Sequence, residues 1–170
     1  MDRRALRGTA VISAQLYNEP ATSWPVEGVA ADAAGNLYFT DTLSRRVRKV
    51  TPTGVISTFA GGGLYSVLGD GGPASKSGIT LPTSVAVDAA GDVYIVDGLR
   101  VRKVNTAGII STVAGNRNPS YSGDGGLATN AAMEPETVAV DGAGNLYISD
   151  FVTGAFAKST RRESSPRSPE

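Results

Sequence analysis

The sequence predicts an all-β fold built from repeated four-stranded units, and three observations lead to this prediction. Glycine is frequent, with 21 residues in a chain of 170, and aromatic residues make up only 6%. Both values indicate many turns and a core of small aliphatic side chains, which favours β-structure over helix. The third observation is that one sequence pattern occurs three times, at a spacing of 53 to 56 residues.

The repeated pattern consists of several blocks that keep their order along the chain. Its clearest block contains Val-Ala, an Asp, a Gly followed by Asn or Asp, a Tyr and a closing Asp, and it occurs at 29–41, 85–97 and 138–150. Two further blocks occur twice: 46–50 matches 100–104, and 55–61 matches 109–115. Matching blocks in a constant order indicate a repeat architecture in which each copy forms the same structural unit.

Each unit is expected to contain four short strands. In the first unit we predict them at 28–32, 37–41, 46–50 and 55–60, close to the usual strand length of about five residues. Gly35 and Asn36 tolerate the positive φ of a tight hairpin between the first two strands, and Pro52 and Gly54 favour a turn between the last two. Four antiparallel strands, repeated with a long connection between units, describe the blades of a β-propeller.

Four sequence motifs recur in a fixed order between residues 25 and 160. They are Pro-x-x-Val-Ala-Val-Asp-x-x-Gly-Asn-Leu-Tyr-x-x-Asp, Arg-Val-Arg-Lys-Val, Gly-x-Ile-Ser-Thr-x-Ala-Gly and Gly-Asp-Gly-Gly-x-Ala. This combination resembles the bacterial type of NHL repeat. The resemblance implies a β-propeller whose Val-Ala-Val-Asp strand lies nearest the central channel, and it implies binding of a ligand or partner more often than catalysis.

The third unit departs from the pattern after Asp150. A degraded third strand is expected near Phe156, no fourth strand follows, and the polar tail 161–170 is expected to be disordered. The abrupt change of composition also suggests a truncated or frameshifted reading frame, so we expect the chain to be a fragment of a longer protein. The predicted architecture is a partial β-propeller of two complete four-stranded blades and one incomplete blade, at 25–79, 80–133 and 134–160.

The N-terminal segment 1–24 has two interpretations. Residues 10–13, Ala-Val-Ile-Ser, resemble the start of the fourth strand at 54–57, Gly-Val-Ile-Ser, so a strand at 10–14 could pair with the last blade and close it. Alternatively, residues 8–16 are the end of an inter-blade loop from a preceding repeat. Because three blades are fewer than the roughly four to eight that close a ring, we hypothesise a homodimer, or a heterogeneous self-association, that covers the open blade faces.

Composition excludes several kinds of chemistry. The chain contains no Cys and no His, which excludes disulfides, zinc–thiolate sites, cysteine nucleophiles and the Ser-His-Asp triad. The formal net charge is zero, but basic ends at 1–7 and 158–170 enclose an acidic body, the reverse of the basic face that nucleic-acid binding requires. This charge distribution argues against nucleic acid as a partner. No apolar run is long enough to cross a bilayer, so we do not expect a membrane as a partner either.

One constellation is a candidate ligand site. Glu27, Thr83 and Glu136 each stand just before the predicted first strand of a blade, so in a closed ring their side chains could collect at one mouth of the channel. Two carboxylates there would suit a metal ion or a cationic ligand, although solvated loop-edge glutamates are the simpler interpretation. No catalytic residue, cofactor or metal site is predicted.

Three other recurring sets have structural explanations. Asp70 and Asp124, in the two Gly-Asp-Gly-Gly loops, could bind calcium, but a single carboxylate per loop is more typical of an Asx-type turn. Turn capping likewise explains the Asp after each first strand, namely Asp32, Asp88 and Asp141. The third recurring set consists of basic residues on the third strands, namely Arg46, Arg48, Lys49, Arg100, Arg102 and Lys103. Because these residues are separated by Val rather than by aromatic residues that could stack on bases, we expect them to form ion pairs on exposed strands instead of binding RNA.

The function expected from these observations is that of a non-enzymatic scaffold that binds a protein or a small ligand. The alternative is a fragment of a metal-dependent enzyme of the lactonase-like or lyase-like propeller type, which would hold its metal at the channel mouth. The absence of His and the small number of blades disfavour the enzyme.

Overall fold

The computed structural model describes residues 26–64, 67–151 and 156–159, which form three antiparallel sheets. The first sheet contains, in chain order, β1 (Val29–Ala31), β2 (Leu37–Asp41), β3 (Arg46–Val50) and β4 (Ile56–Ala60). The second contains, again in chain order, β5 (Pro82–Val87), β6 (Val93–Asp97), β7 (Val101–Val104) and β8 (Ile110–Ala114). The third contains β9 (Pro135–Val140), β10 (Leu146–Asp150) and β11 (Phe156–Ser159), with β10 in the centre.

These sheets, called blades 1, 2 and 3 below, confirm the predicted all-β partial propeller with two four-stranded blades and an incomplete one. The degraded strand expected after Asp150 forms β11, which pairs with β10. Two connections contain a short 3-10 turn, at Ala74–Lys76 and Ala128–Asn130, and no helix among the described residues is long and apolar enough to span a membrane. The suggested closing strand at 10–14 and the tail 161–170 lie outside the described residues, and the exact blade boundaries stay predictions.

The first hairpin of every blade is closed by an aspartate, as predicted. Asp32 Oδ1 accepts hydrogen bonds from two backbone N–H groups of its turn, at 3.0 and 2.9 Å. Asp88 and Asp141 accept equivalent bonds in blades 2 and 3. Because the Asp32 N–H also donates to the Asn36 carbonyl within the turn, the first strand ends at Ala31, one residue earlier than predicted.

The core lies between the blades, because neighbouring sheets pack face to face. One cluster joins blades 1 and 2 and includes Tyr38, Val47, Val85, Ile95 and Ile110. A second cluster joins blades 2 and 3 and includes Tyr94, Val96, Val101, Val138 and Ile148. Successive residues of β6 belong to alternate clusters, since side chains alternate between the two faces of a strand. Blade 2 therefore buries one face against blade 1 and the other against blade 3.

The first strands of the three blades, β1, β5 and β9, lie next to one another. Gly28 approaches blade 2 so closely that a Cβ atom at this position would stand 2.8 Å from the Cα atom of Ser84. Ser84 Oγ in turn accepts a hydrogen bond from the N–H of Val138, at 3.2 Å. Thr42 Oγ1 donates to the Pro82 carbonyl at 2.7 Å and ties the second hairpin of blade 1 to the start of β5. These contacts align the beginnings of the first strands.

Candidate functional site

The three residues predicted to share a channel mouth lie at the beginning of neighbouring first strands. Thr83 and Glu136 are inside β5 and β9 rather than before them, because strand pairing already begins at Pro82 and Pro135. Thr83 Oγ1 donates a hydrogen bond to the backbone carbonyl of Glu136 at 3.3 Å, which brings these two residues together. Glu27 and Glu136 are exposed. In the ranges that the structure describes, no three carboxylates converge into a site that could hold a metal ion.

Blade 2 contains a buried ionic network that the sequence analysis did not predict. Asp97, the last residue of β6, is fully buried, and its Oδ1 accepts hydrogen bonds from the backbone N–H and the hydroxyl of Thr80, at 2.7 and 2.6 Å. Its Oδ2 lies 3.2 Å from Arg100 Nη2 and 3.4 Å from Arg102 Nη1. Burial lowers the pKa of Arg100, while the Asp97 carboxylate acts in the opposite direction. The network joins β6 and β7 to the end of the connection from blade 1.

The predicted ion pairs form in blade 2, but the predicted exposure of its third strand is wrong. Arg102 has no exposed surface and Arg100 is also buried. Arg102 donates to the Leu68 carbonyl at 2.9 Å and pairs with Asp70, because the connection from blade 1 folds over β7. The lysines of the third strands lie over tyrosine rings of their own blades, each 5.4 Å from the centroid, in the pairs Lys49–Tyr38, Lys103–Tyr94 and Lys158–Tyr147. The ammonium groups of these lysines therefore make cation–π contacts within their own blades.

The Gly-Asp-Gly-Gly loop at 69–72 covers the outer part of blade 2, which differs from the predicted Asx-type turn. Asp70 accepts a hydrogen bond from the Thr112 hydroxyl at 2.8 Å and forms the ion pair with Arg102. Backbone groups close the turn instead, because the Gly72 N–H donates to the Gly69 carbonyl at 2.9 Å. A buried guanidinium needs a carboxylate partner, and Asp70 supplies one from the connection.

The second Gly-Asp-Gly-Gly loop, 123–126, has a different environment. In the strand ladder, Ala157 takes the position that Arg102 has in blade 2, so the third strand of blade 3 supplies no guanidinium at this position. Asp124 accepts a hydrogen bond from the Tyr121 hydroxyl at 2.8 Å, which raises the pKa of Tyr121. The loop borders an open cavity of about 640 Å³, whose other walls include residues of β10 and β11. This cavity lies where a fourth strand would complete blade 3.

Blade 1 exposes one apolar side chain of its first strand. Val29 is 66% exposed, whereas its repeat equivalents Val85 and Val138 are 6% and 7% exposed. Val85 and Val138 pack against the preceding blade, and no blade precedes blade 1 among the described residues. The exposure is confined to the first strand, because Phe39, which pairs with Val29 and shares its face, and Val50 on the same face are buried.

Blade 3 has an uncovered face at the opposite end of the arc. Tyr147 is 37% exposed, whereas its equivalents Tyr38 and Tyr94 are 4% and 5% exposed. These equivalents pack against the following blade, and the described part of the chain contains no blade after blade 3. Val29 and Tyr147, at the two ends of the arc, thus occupy positions that neighbouring blades bury inside the arc.

Comparison with known proteins identifies the repeat. The family model described as the Teneurin NHL domain matches residues 65–122, which contain all four strands of blade 2. The chain carries NHL-type repeats. Teneurin-4 of Mus musculus is 33% identical over 128 residues, a match that covers 68% of this chain and 4% of the relative. The chain thus spans a very small part of the length of this curated relative.

Solved structures place the NHL-type repeats in a widespread propeller fold. A Bacteroides thetaiotaomicron protein of unknown function is 30% identical, with a TM-score of 0.62, over 73% of this chain and 32% of that chain. A gluconolactonase from Xanthomonas campestris is 18% identical, with a TM-score of 0.52, over 78% of this chain and 36% of that chain. At this low identity, the likeness to the gluconolactonase concerns the fold alone.

The prediction that the NHL repeats are of the bacterial type is not confirmed. Teneurin relatives from Mus musculus, Danio rerio and Gallus gallus contradict an exclusively bacterial assignment. The motifs reflect the requirements of tight turns and inter-blade packing, which are the same in any organism, so they do not identify the source.

Sequence reasoning missed the aspartates that end the second strands. Asp97 organises the buried network, and Asp150 Oδ2 in blade 3 accepts a hydrogen bond from the Glu134 N–H at 2.9 Å. The signal was available, because an Asp closes the repeated block in all three copies, at Asp41, Asp97 and Asp150. The pattern could not indicate that Asp97 and Asp150 would be buried while Asp41 is partly exposed.

Proposed function

We propose that this chain is a non-enzymatic NHL-type interaction scaffold that associates with a second copy of itself through the open faces of blades 1 and 3. The observation that carries the proposal is the exposure of Val29, whose equivalents in the other two blades are buried by a preceding blade. The exposed Tyr147 at the other end of the arc supports the same proposal.

The proposed contact joins the face of blade 1 that bears Val29 to the face of blade 3 that bears Tyr147. In two copies related by a twofold axis this contact occurs twice, and the two three-blade arcs together supply six blades, a number within the range that closes a ring. Each apolar surface removed from water favours association by roughly 25 cal/mol per Å², before the cost of association is subtracted. Burial of the exposed Val29 and Tyr147 side chains would thus favour the association.

The comparisons support an interaction role only in general terms, since the matching family model is that of a teneurin NHL domain. We further propose that a small ligand binds at the mouth formed by Glu27, Thr83 and Glu136, where two exposed carboxylates stand near the adjoining first strands. That the chain acts within a longer protein is also part of the proposal, since the curated relatives are much longer than this chain.

Light scattering coupled to size-exclusion chromatography tests the proposed association. We expect a dimer for the unmodified chain at micromolar concentration and a dissociation constant raised at least about tenfold in Val29→Lys, because a charge at this position cannot be buried without a partner. Leu43→Lys is the matched control, since Leu43 is similarly exposed but lies in the second hairpin of blade 1. A compact monomer for the unmodified chain, or equal association of both variants, would refute the proposal.

A further inference from the structure

The outer strand of blade 2 is held along both of its edges. On one edge β8 pairs with β7. On the other edge it contacts the connection from blade 1, where the Gly71 N–H donates to the Ile110 carbonyl at 2.8 Å and the Ile110 N–H donates to the Gly72 carbonyl at 3.0 Å. The Ala74 N–H also donates to the Gly108 carbonyl, just before β8, at 2.8 Å. The strand thus lies in a slot between β7 and the Gly-Asp-Gly-Gly loop.

Blade 3 has both walls of this slot, and within the described residues no strand lies between them. The loop 123–126 keeps the shape of its counterpart, since the Gly126 N–H donates to the Gly123 carbonyl at 3.0 Å and both Gly123 and Gly125 have positive φ, 102° and 74°. The Gly125 N–H and the Gly126 carbonyl correspond to the groups that hold Ile110 in blade 2. Neither has a backbone partner in the described part of the chain.

The floor of the blade 3 slot is apolar and matches that of blade 2. In blade 2, the side chain of Ile110 belongs to the same buried cluster as Ala74, Ile79 and Ile95. The repeat equivalents of these three residues line the cavity of about 640 Å³ in blade 3; they are Ala128, Met133 and Ile148. The slot therefore offers two backbone hydrogen bonds and an apolar site for a side chain of the size of isoleucine.

We propose that residues 8–14 of a second copy of this chain occupy this slot as the fourth strand of blade 3. The segment contains Val11-Ile12-Ser13, which matches Val55-Ile56-Ser57 at the start of the fourth strand in blade 1. In the alignment with blade 2, Ile12 takes the place of Ile110, so its N–H donates to the Gly126 carbonyl and its carbonyl accepts from the Gly125 N–H. Addition of a strand to an open edge in this way uses main-chain bonds for affinity and side-chain sites for specificity.

The inference rests on the proposed association and specifies what the second copy contributes. When blade 1 of one copy packs against blade 3 of the other, the residues before blade 1 begin next to blade 3 of the other copy. The 11 residues 15–25 that separate the segment from blade 1 can span at most about 40 Å, enough to reach across one blade. In its own chain, by contrast, the segment would have to pass blade 2 before reaching blade 3.

Engineered cysteines test the register of the proposed strand, because the chain has no cysteine of its own. Ser111 stands directly opposite Lys103 in blade 2, so Ser13 is expected opposite Lys158 in blade 3. Opposite residues of an antiparallel pair are close enough for a disulfide. We therefore expect mild oxidation of the double variant Ser13→Cys/Lys158→Cys to yield a covalent dimer, in which mass spectrometry identifies a disulfide between the two substituted positions.

The matched control is Ser13→Cys/Lys103→Cys, since Lys103 holds the equivalent position on a strand whose edge is already paired with β8. We expect no specific cross-link in this control. Equal cross-linking of both double variants would overturn the inference. In Ser13→Cys/Lys158→Cys, a disulfide formed within one chain, or no disulfide at all, would overturn it as well.

A second variant separates this inference from the proposed association. Ile12→Pro removes the N–H that would bind Gly126, so it should raise the dimer dissociation constant at least about tenfold, whereas Ile12→Val should change it little. A dimer that tolerates Ile12→Pro, together with no disulfide in Ser13→Cys/Lys158→Cys, would leave the association standing and overturn the strand exchange. A monomer for the unmodified chain would overturn both.

Discussion

Replacement of Arg102 by methionine should destabilise the fold far more than the same replacement at the equivalent position of blade 1. Arg102 is fully buried, and its guanidinium contacts Asp97, Asp70 and the Leu68 carbonyl. Methionine keeps much of the side-chain volume but leaves the buried Asp97 carboxylate with Arg100 as its remaining cationic partner. The loss of one member of a buried ion pair costs about 3–5 kcal/mol.

The equivalent residue of blade 1 provides the control. Arg48 Nη1 lies 3.9 Å from Asp41 Oδ2, and the two side chains are 25% and 22% exposed. Partly solvated pairs of this kind contribute about 0–1 kcal/mol, so Arg48→Met should be close to neutral. For a chain of this length, the expected loss in Arg102→Met corresponds to a melting temperature lower by roughly 6 to 20 °C.

Urea and thermal unfolding followed by circular dichroism measure the difference between the two variants. A loss below about 1 kcal/mol in Arg102→Met, or equal losses in both variants, would show that burial does not make the blade 2 network essential. Asp97→Asn combined with Arg102→Met should cost less than the sum of the single changes, because the amide leaves no buried carboxylate without its arginine. Additive losses would contradict a direct interaction between the two residues.

Two further predictions concern packing and pH. Gly28→Ala should lower the free energy of unfolding in urea by about 1–3 kcal/mol, because the added Cβ would stand 2.8 Å from the Ser84 Cα. Gly142→Ala is the control and should be nearly neutral, because a Cβ at Gly142 meets open space. Equal effects of the two variants would contradict the close approach of blades 1 and 2. The side chain and the backbone N–H of Asn145 lower the pKa of Asp141 from 3.8 to about 2. A carboxyl whose pKa is lower in the folded state stabilises the fold above its unfolded pKa, and this contribution disappears as the pH falls from about 4 to about 2. Asn145→Ala should therefore raise the pKa of Asp141, measured by NMR titration. The variant should also lose less stability than the unmodified chain as the pH falls from about 4 to about 2. An unchanged Asp141 titration in the variant would contradict the role of the Asn145 amide.

Local features of the fold could be predicted because they depend on a few adjacent residues. The turn of each first hairpin needs a residue with positive φ and a short acceptor side chain, and Gly35 with Asp32 meets both needs within four positions. The same chemistry recurs in every copy, so the repeat alone predicts the hairpins and the order of the strands.

The candidate sites were harder to predict because they depend on segments far apart in the sequence. Arg48 and Arg102 occupy the same position of the repeat, yet the first is partly exposed and the second fully buried. Asp70 and Asp124 likewise share a motif, but Asp70 meets the guanidinium of Arg102, whereas Ala157 takes the place of Arg102 in the third blade. A repeated motif predicts a repeated backbone, whereas its partners depend on the neighbouring blade.

Sequence and tertiary structure thus decide different properties of this chain. The order of the strands, the hairpin turns and the division into blades follow from the spacing of Gly, Asp and apolar residues, since these set the local backbone conformation. Whether an equivalent residue is buried, as Val85 is, or exposed, as Val29 is, depends on whether another blade covers it. The open slot of blade 3 likewise depends on a neighbouring segment. Burial requires two surfaces in contact, and a sequence motif in one segment specifies only one of those surfaces.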